Sequence, residues 1–242
     1  MKNFLQDLVA HTHSLGVLPI IRVTATPEST SIDSVSEDRK IILNATTHTP
    51  IQGIDGVFGM PNLNKLDLHL KCPEYKENAV ITLSKDIRDG KEIPVGIHFQ
   101  NESGDFQNDY RFMSRQILDI KMKAAQFLGT TWDVEFSPTQ TNITRFKYQS
   151  AAHTEETMFQ VSSQNDNLIF SFGDLNTHAG NFVFQAGING KLKNTWSWPK
   201  SEVISVLNLD GDKTVRISDL GALQITVDSG ITVYNYTLQG HR

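Results

Sequence analysis

The sequence predicts an α+β fold in which one domain plan is written twice. Three observations carry this. Two stretches, MPNLNKLDLHLK from Met60 and WPKSEVISVLNL from Trp198, share a large apolar residue, a proline and a helix-like run, 138 positions apart. Each is followed by three segments of strand character. Each is preceded by an amphipathic helix and further strands.

The elements follow in order. Leu5, Leu8, Val9 and Leu15 share one helical face in NFLQDLVAHTHSL, which predicts a helix over 3–15. Strands are expected at 20–25 and 41–46. Proline is favourable in the first turn of a helix, where its missing N–H has no partner to lose. The spacing of Leu63, Leu66 and Leu70 after Pro61 therefore predicts a helix over 61–71, and that of Val203, Ile204 and Leu207 after Pro199 predicts one over 200–209. Both end in polar turns, CPEYKEN and DGDK. AVITLSK (79–85) then matches TVRISD (214–219), VGIHF (95–99) matches LQITV (223–227), and DYRFMS (109–114) matches VYNYTL (233–238). The offset between copies falls from 138 at the prolines to 124 between Tyr110 and Tyr234, as shorter loops in the second copy would produce. PTQTNITRFKYQSAA predicts a helix over 139–152, started near Thr139 or Thr141, with Ile143, Phe146 and Ser150 on one face. Strands at 157–162, 168–172 and 181–186 follow it. WDVEF (132–136) precedes this helix, whereas only Met1 and Lys2 precede the first. The boundaries expected are one domain over 1–113, a connector over 114–131 that is part helical, and a second domain over 132–242.

Composition narrows the function. With 242 residues, 38% apolar and 20% charged, the chain has the make-up of a soluble protein large enough for two cores. No run approaches 18 apolar residues and the N-terminal segment lacks a signal-type apolar core, so no membrane role and a cytoplasmic location are expected. One cysteine, Cys72, excludes an internal disulfide and a multi-cysteine metal site. The net charge of −5 argues against a generic nucleic-acid-coating protein, but not against basic groups gathered on one surface. His11 and His13, two apart on a helix, point to different faces and make a poor metal pair. NLDGDK lacks the ligand ladder of a calcium loop, GINGK is not a phosphate loop, and no nucleophile elbow occurs. The expectation is a protein without enzymatic activity, cofactor or metal.

GVFGMPNLNKLDLHLK followed by VITLSK, DYRFMS leading into a long connector, and the run VRISDLGALQITVDSGITVYNYTL together resemble the DNA sliding clamps, the polymerase processivity factors. The likeness is to clamps with two domains per chain: those of T-even-type phages and the proliferating-cell-nuclear-antigen (PCNA) type. The absent opening strand looks more like the phage, and hence viral, type. The resemblance implies a duplicated clamp domain, with antiparallel sheets outside and two helices per domain lining a ring. Rings of six domains imply a homotrimer that encircles double-stranded DNA without reading its sequence, tethers a DNA polymerase and is placed by a separate clamp loader ATPase. By resemblance the four helices present Lys2, His11, His13, Lys65, His69, Lys71, Arg145, Lys147 and Lys200 to phosphates. Three chains of −5 each would total −15, leaving an acidic exterior. The subunit joint would pair the strand from Phe106 to Met113 with that from Asn181 to Gly187, with Phe106, Tyr110, Phe112, Phe182 and Phe184 at the interface. A partner peptide would dock near the connector on Ile32, Phe127, Leu128, Leu220, Leu223, Tyr236 and Leu238.

A reading of another class stands beside this: a duplicated β-sandwich that binds a ligand or builds a virion, with TWSWP (195–199) stacking on a sugar. The helix that follows proline in each half is what such a sandwich does not need.

Overall fold

In the computed structural model, which describes all residues except 89, 123–126, 175 and 177, the chain forms two units. Met1–Gln126 with Ser229–Tyr234 make the first, and Phe127–Asp228 with Asn235–Arg242 the second. The first runs α1 (Lys2–Thr12), β1 (Ile20–Ala25), β2 (Thr30–Val35), β3 (Ile41–Thr47), β4 (Gly56–Pro61), α2 (Leu63–Lys71), β5 (Val80–Arg88), β6 (Lys91–Gln100), β7 (Gln107–Arg111) and α3 (Arg115–Lys121). The second runs β8 (Val134–Phe136), α4 (Gln140–Ala152), β9 (Met158–Gln164), β10 (Asn167–Phe172), β11 (Gly180–Ala186), β12 (Trp196–Pro199), α5 (Lys200–Leu207), β13 (Asp212–Ile217), β14 (Ala222–Asp228) and β15 (Thr232–Gln239). Every pairing described is antiparallel.

The two units repeat one topology: helix, four strands, helix, three strands. The four strands lie in the order β4-β1-β2-β3 in the first unit and β12-β9-β10-β11 in the second. The fourth strand thus returns beside the first, a Greek-key connection made twice. The three strands form β5-β6-β7 and β15-β14-β13, the latter extended by β8 beside β13. The extra strand before the second helix, expected from WDVEF, is this β8.

Packing follows from apolar spacing. β1 turns Ile21, Val23 and Ala25 inward, and β3 turns Ile41, Leu43 and Ala45 inward. In α2 the buried residues are Leu63, Leu66 and Leu70, and in α4 they are Ile143, Phe146 and Ser150. Thr139 caps α4 by accepting a hydrogen bond from Asn142 N–H at 3.2 Å. Phe146 sits at the hub of the second core, with ring centres of Phe159, Phe170, Phe172 and Phe184 at 4.6, 5.2, 6.0 and 6.1 Å. Each such ring contributes about 1.5–3 kcal/mol by burial. In the first unit α3 lies on β4 where Gly59 leaves room: a Cβ there would stand 2.8 Å from Leu118 Cδ1.

Two expectations need correction. Pro61 and Pro199 do not open the helices; each is the last residue of a strand, paired with Ile20 and Met158 respectively. Asn62, at φ 53° and ψ 50°, and then Pro199 itself are the helix N-caps. β2, β4 and β12 also lie where no strand was expected. β2 hides its alternation by burying Thr30 and Ser34, and Ser34 Oγ donates to Ile20 O at 2.7 Å.

Candidate nucleic-acid interface and partner surfaces

The candidate DNA contacts divide sharply once the helices are in place. Lys2, at the start of α1, turns its Nζ onto Tyr75 O and Lys76 O, both at 2.7 Å, just beyond the end of α2. Lys200, at the start of α5, donates to Ser150 O at 3.0 Å and to His153 O, at the end of α4. Lys200 thus meets carbonyls at the end of α4, and Lys2 meets carbonyls at the end of the short 3-10 turn (Pro73–Tyr75) that follows α2. Both positions were expected to face phosphate; their charge is spent on backbone instead.

His11 is also corrected. It is buried, stacked on Tyr234 with centres 4.6 Å apart, and its Nδ1 lies 3.1 Å from Asp7 Oδ1. Tyr234 hydroxyl donates to the other Asp7 oxygen at 2.8 Å. Burial alone would raise the Asp7 carboxyl; hydrogen bonds involving His11, Tyr234 and Ser229, with the imidazole charge, outweigh it and hold the carboxyl below its ordinary range. The remaining exposed residues of α1, Asn3, Gln6 and Ala10, carry no charge. His13 is half-buried at its end.

On α2, Lys65 and Lys71 are exposed, but Lys71 pairs with Asp67 at 2.6 Å. His69 leans on Phe99, ring centres 5.2 Å apart, and burial first, then the Lys65 charge, lower its pKa. Both effects disfavour the protonated imidazole that phosphate binding would use. On α4, Arg145 is exposed and Lys147 half-buried, and no acid occurs anywhere in the helix. The same helix holds Tyr148, 75% exposed, which the sequence reading passed over. The spacing of Ile143, Phe146 and Ser150 already put position 148 off the buried face, so the signal was there.

Among the strands that end their sheets are β7 and β11, each paired on one side only among the described residues. Phe112 N–H donates to Val95 O and Asn101 N–H to Phe106 O, so even-numbered residues of the β7 strand turn their backbone toward β6. Gln107, Asp109 and Arg111 therefore turn theirs outward. The aromatic residues expected at this joint mostly face inward. Tyr110 is buried, its hydroxyl donating to Pro61 O and its pKa raised by burial. Phe112 stacks on Phe58 at 4.1 Å and Phe184 on Phe170 at 4.1 Å. Phe182 is half-buried. Phe106, 42% exposed, and Val183, 40% exposed, are the apolar side chains these strands leave accessible.

The partner-peptide candidates divide in the same way. Ile32, Leu223, Tyr236 and Leu238 are core residues, at most 3% exposed, and offer a peptide no surface. Leu128 and Leu220 are 92% and 77% exposed, and Phe127 packs on Trp132 at 5.9 Å. A hydrogen bond of 2.9 Å between Thr130 and Ser218 hydroxyls ties the end of the connector to the turn carrying Leu220. Phe127, Leu128 and Leu220 thus flank one tie in the second unit.

The tryptophans of TWSWP are not a sugar platform. Trp198 is fully buried and Trp196 8% exposed, with the Arg242 guanidinium 4.8 Å from the Trp196 ring centre. Among the described residues no group of three or more His, Cys, Asp or Glu could hold a metal ion, and no helix is long and apolar enough to cross a membrane.

A duplicated helix–four strands–helix–three strands chain with antiparallel sheets is the architecture of the sliding clamps, and the fold of this chain is PCNA-like. It superposes over 100% of its length on 97% of PCNA from Thermococcus kodakaraensis, with TM-score 0.70 and 8% identity. It superposes over 100% of its length on 95% of A. fulgidus PCNA, solved with the C-terminal region of FEN-1, with TM-score 0.68 and 9% identity. No protein-family model and no curated protein matches the sequence.

Proposed function

We propose that the protein is a sliding clamp: a non-enzymatic ring of three chains that encircles double-stranded DNA and tethers a DNA polymerase. The observation that carries this reading is the clamp topology repeated over the whole chain. Two domains, 1–113 and 132–242, joined by a connector over 114–131, make a six-domain ring when three chains close. The one-sided pairing of β7 and β11 supports head-to-tail closure, because joining them removes two exposed strand edges that otherwise invite aggregation. Arg145, Lys147 and Lys65, which have no ion pair among the described residues, are the cations left for phosphate. Phe127, Leu128 and Leu220 form the apolar patch for a partner peptide. A closed ring needs a clamp loader ATPase to open it, and the role places the protein in the cytoplasm, the host's for a viral clamp.

Light scattering at low micromolar concentration tests closure. A mass near three times 27.1 kDa is expected. Retention on circular but not linearised DNA then tests enclosure, since a ring slides off a free end. A monomer that stays monomeric with loader and DNA present, or equal retention on both DNAs, overturns the reading.

A further inference from the structure

Resting on the clamp reading, we propose that DNA is held chiefly by α4, with the ring of Tyr148 packed against the sugar–phosphate backbone between the charges of Arg145 and Lys147. The argument begins with what each helix has left to offer. In α1, Lys2 is tied to carbonyls and Asp7 offsets its charge; in α5, Lys200 is tied likewise and Glu202 offsets it. Neither helix presents a net positive face. α2 keeps one unpaired cation, Lys65, because Asp67 holds Lys71.

α2 and α4 bury residues at identical spacing, Leu63, Leu66 and Leu70 against Ile143, Phe146 and Ser150. Their outer faces can therefore be compared position by position. Arg145 stands where Lys65 does, Lys147 where Asp67 does, and Tyr148 where Leu68 does. With Lys147 in place of Asp67 and Ala151 in place of Lys71, the net charge of the face rises from one to two, and α4 is left without any carboxylate. Lys213, at the start of β13, lies close enough to Lys147 for their charges to repel, although Asp210 and Asp212 also act on it. The exposed aromatic completes the surface. A tyrosine ring 75% exposed beside two cations has an apolar face for deoxyribose and a hydroxyl for phosphate. Contact of this kind is blind to sequence, as sliding requires.

The test is binding of the full-length protein to a 30-base-pair duplex of about average composition, followed by fluorescence anisotropy between roughly 50 and 200 mM salt. Replacing both Arg145→Glu and Lys147→Glu is expected to weaken binding by about a hundredfold or more and to lower the slope of log K against log salt by roughly 2 for each chain of the ring that touches DNA, near one per lost phosphate contact. Replacing both Lys65→Glu and Lys71→Glu is expected to cost about tenfold or less. Tyr148→Ala is expected to weaken binding about fivefold with the salt slope unchanged, because the ring displaces no counterion, and Tyr148→Phe to retain most of the affinity. Unchanged melting temperature and solution mass establish that each variant is folded and assembled. Losses on α2 that equal or exceed those on α4 overturn this proposal while leaving the clamp reading intact. Full affinity in Tyr148→Ala overturns the role of the ring. Failure of the unaltered protein to bind or be retained on DNA overturns both.

Discussion

Replacing Lys200→Met separates two roles that the same charge could serve. In the structure its Nζ donates to Ser150 O and His153 O at the end of α4, where carbonyls carry the negative end of the helix dipole. Hydrogen bonds to a charged group are each worth about 1.5–3 kcal/mol when shielded. Methionine keeps most of the aliphatic stem, so packing is largely preserved. The site is only partly buried, and water can take over part of the bonding, so we halve the sum to about 2 kcal/mol. For a chain of this size, 1 kcal/mol moves the melting temperature by about 2–4 °C, which predicts a fall of about 4–8 °C. Scanning calorimetry reads that shift, and anisotropy with duplex DNA at 20 °C reads the other role. A melting temperature unchanged within 1 °C, together with a salt slope lowered by about 1, would make Lys200 a phosphate ligand and refute the reasoning.

The other predictions are shorter. Phe146→Ala, which empties the hub of the second core, should cost about 3–5 kcal/mol, read by urea unfolding, whereas Phe146→Leu should cost distinctly less. Gly221→Ala should destabilise by about 2–4 kcal/mol and alter tryptophan fluorescence, because its φ of +90° disfavours a side chain and the new Cβ would stand 2.6 Å from Trp196 Cζ3. Asp7 has a folded-state pKa below its unfolded value of 3.8, so it contributes stability that is present above 3.8 and is lost as pH falls through the lower folded-state pKa. Asp7→Asn should therefore lower the melting temperature at pH 7 and approach the parent only as pH is taken well below 3.8. On the clamp reading, Val183→Asp, on the β11 edge, should lower the solution mass in light scattering from three chains to one without a change in circular dichroism.

The residues show why some of this was legible in sequence and some was not. Leu63, Leu66 and Leu70, or Ile143, Phe146 and Ser150, declare a buried helical face by spacing alone, and each copy supports the other. Pro61 and Pro199 misled because a proline between strand and helix can end the one as readily as begin the other. β12 is four residues long and carries two tryptophans, a length at which alternation has no statistical weight. The resemblance puts Phe182 and Phe184 at the subunit joint, yet alternation reveals only that two residues share a face. Which face meets the core is set by the neighbouring strand, and here Val183 is the exposed one.

The lysines are the more instructive case. Their charge was visible and their partners were not, because those carbonyls lie 73 and 74 residues from Lys2 and 47 and 50 from Lys200. A clue was nonetheless present. A cation on the first turn of a helix opposes the helix's own dipole, so two such lysines, at Lys2 and Lys200, suggest an anionic partner elsewhere. Phosphate is one such partner, and the carbonyl end of a neighbouring helix is another.

The segment Ser229–Tyr234 belongs with the first unit although nearly the whole chain separates them: the Tyr234–Asp7 hydrogen bond spans 227 residues. His48 N–H likewise donates to Ile231 O at 2.9 Å. During translation, Asp7 and His11 leave the ribosome long before their partner exists, and at about 5–20 residues per second they wait roughly 10–45 s for it. The N-terminal unit is thus unfinished while the second is being made. A strand made late closes a helix made early.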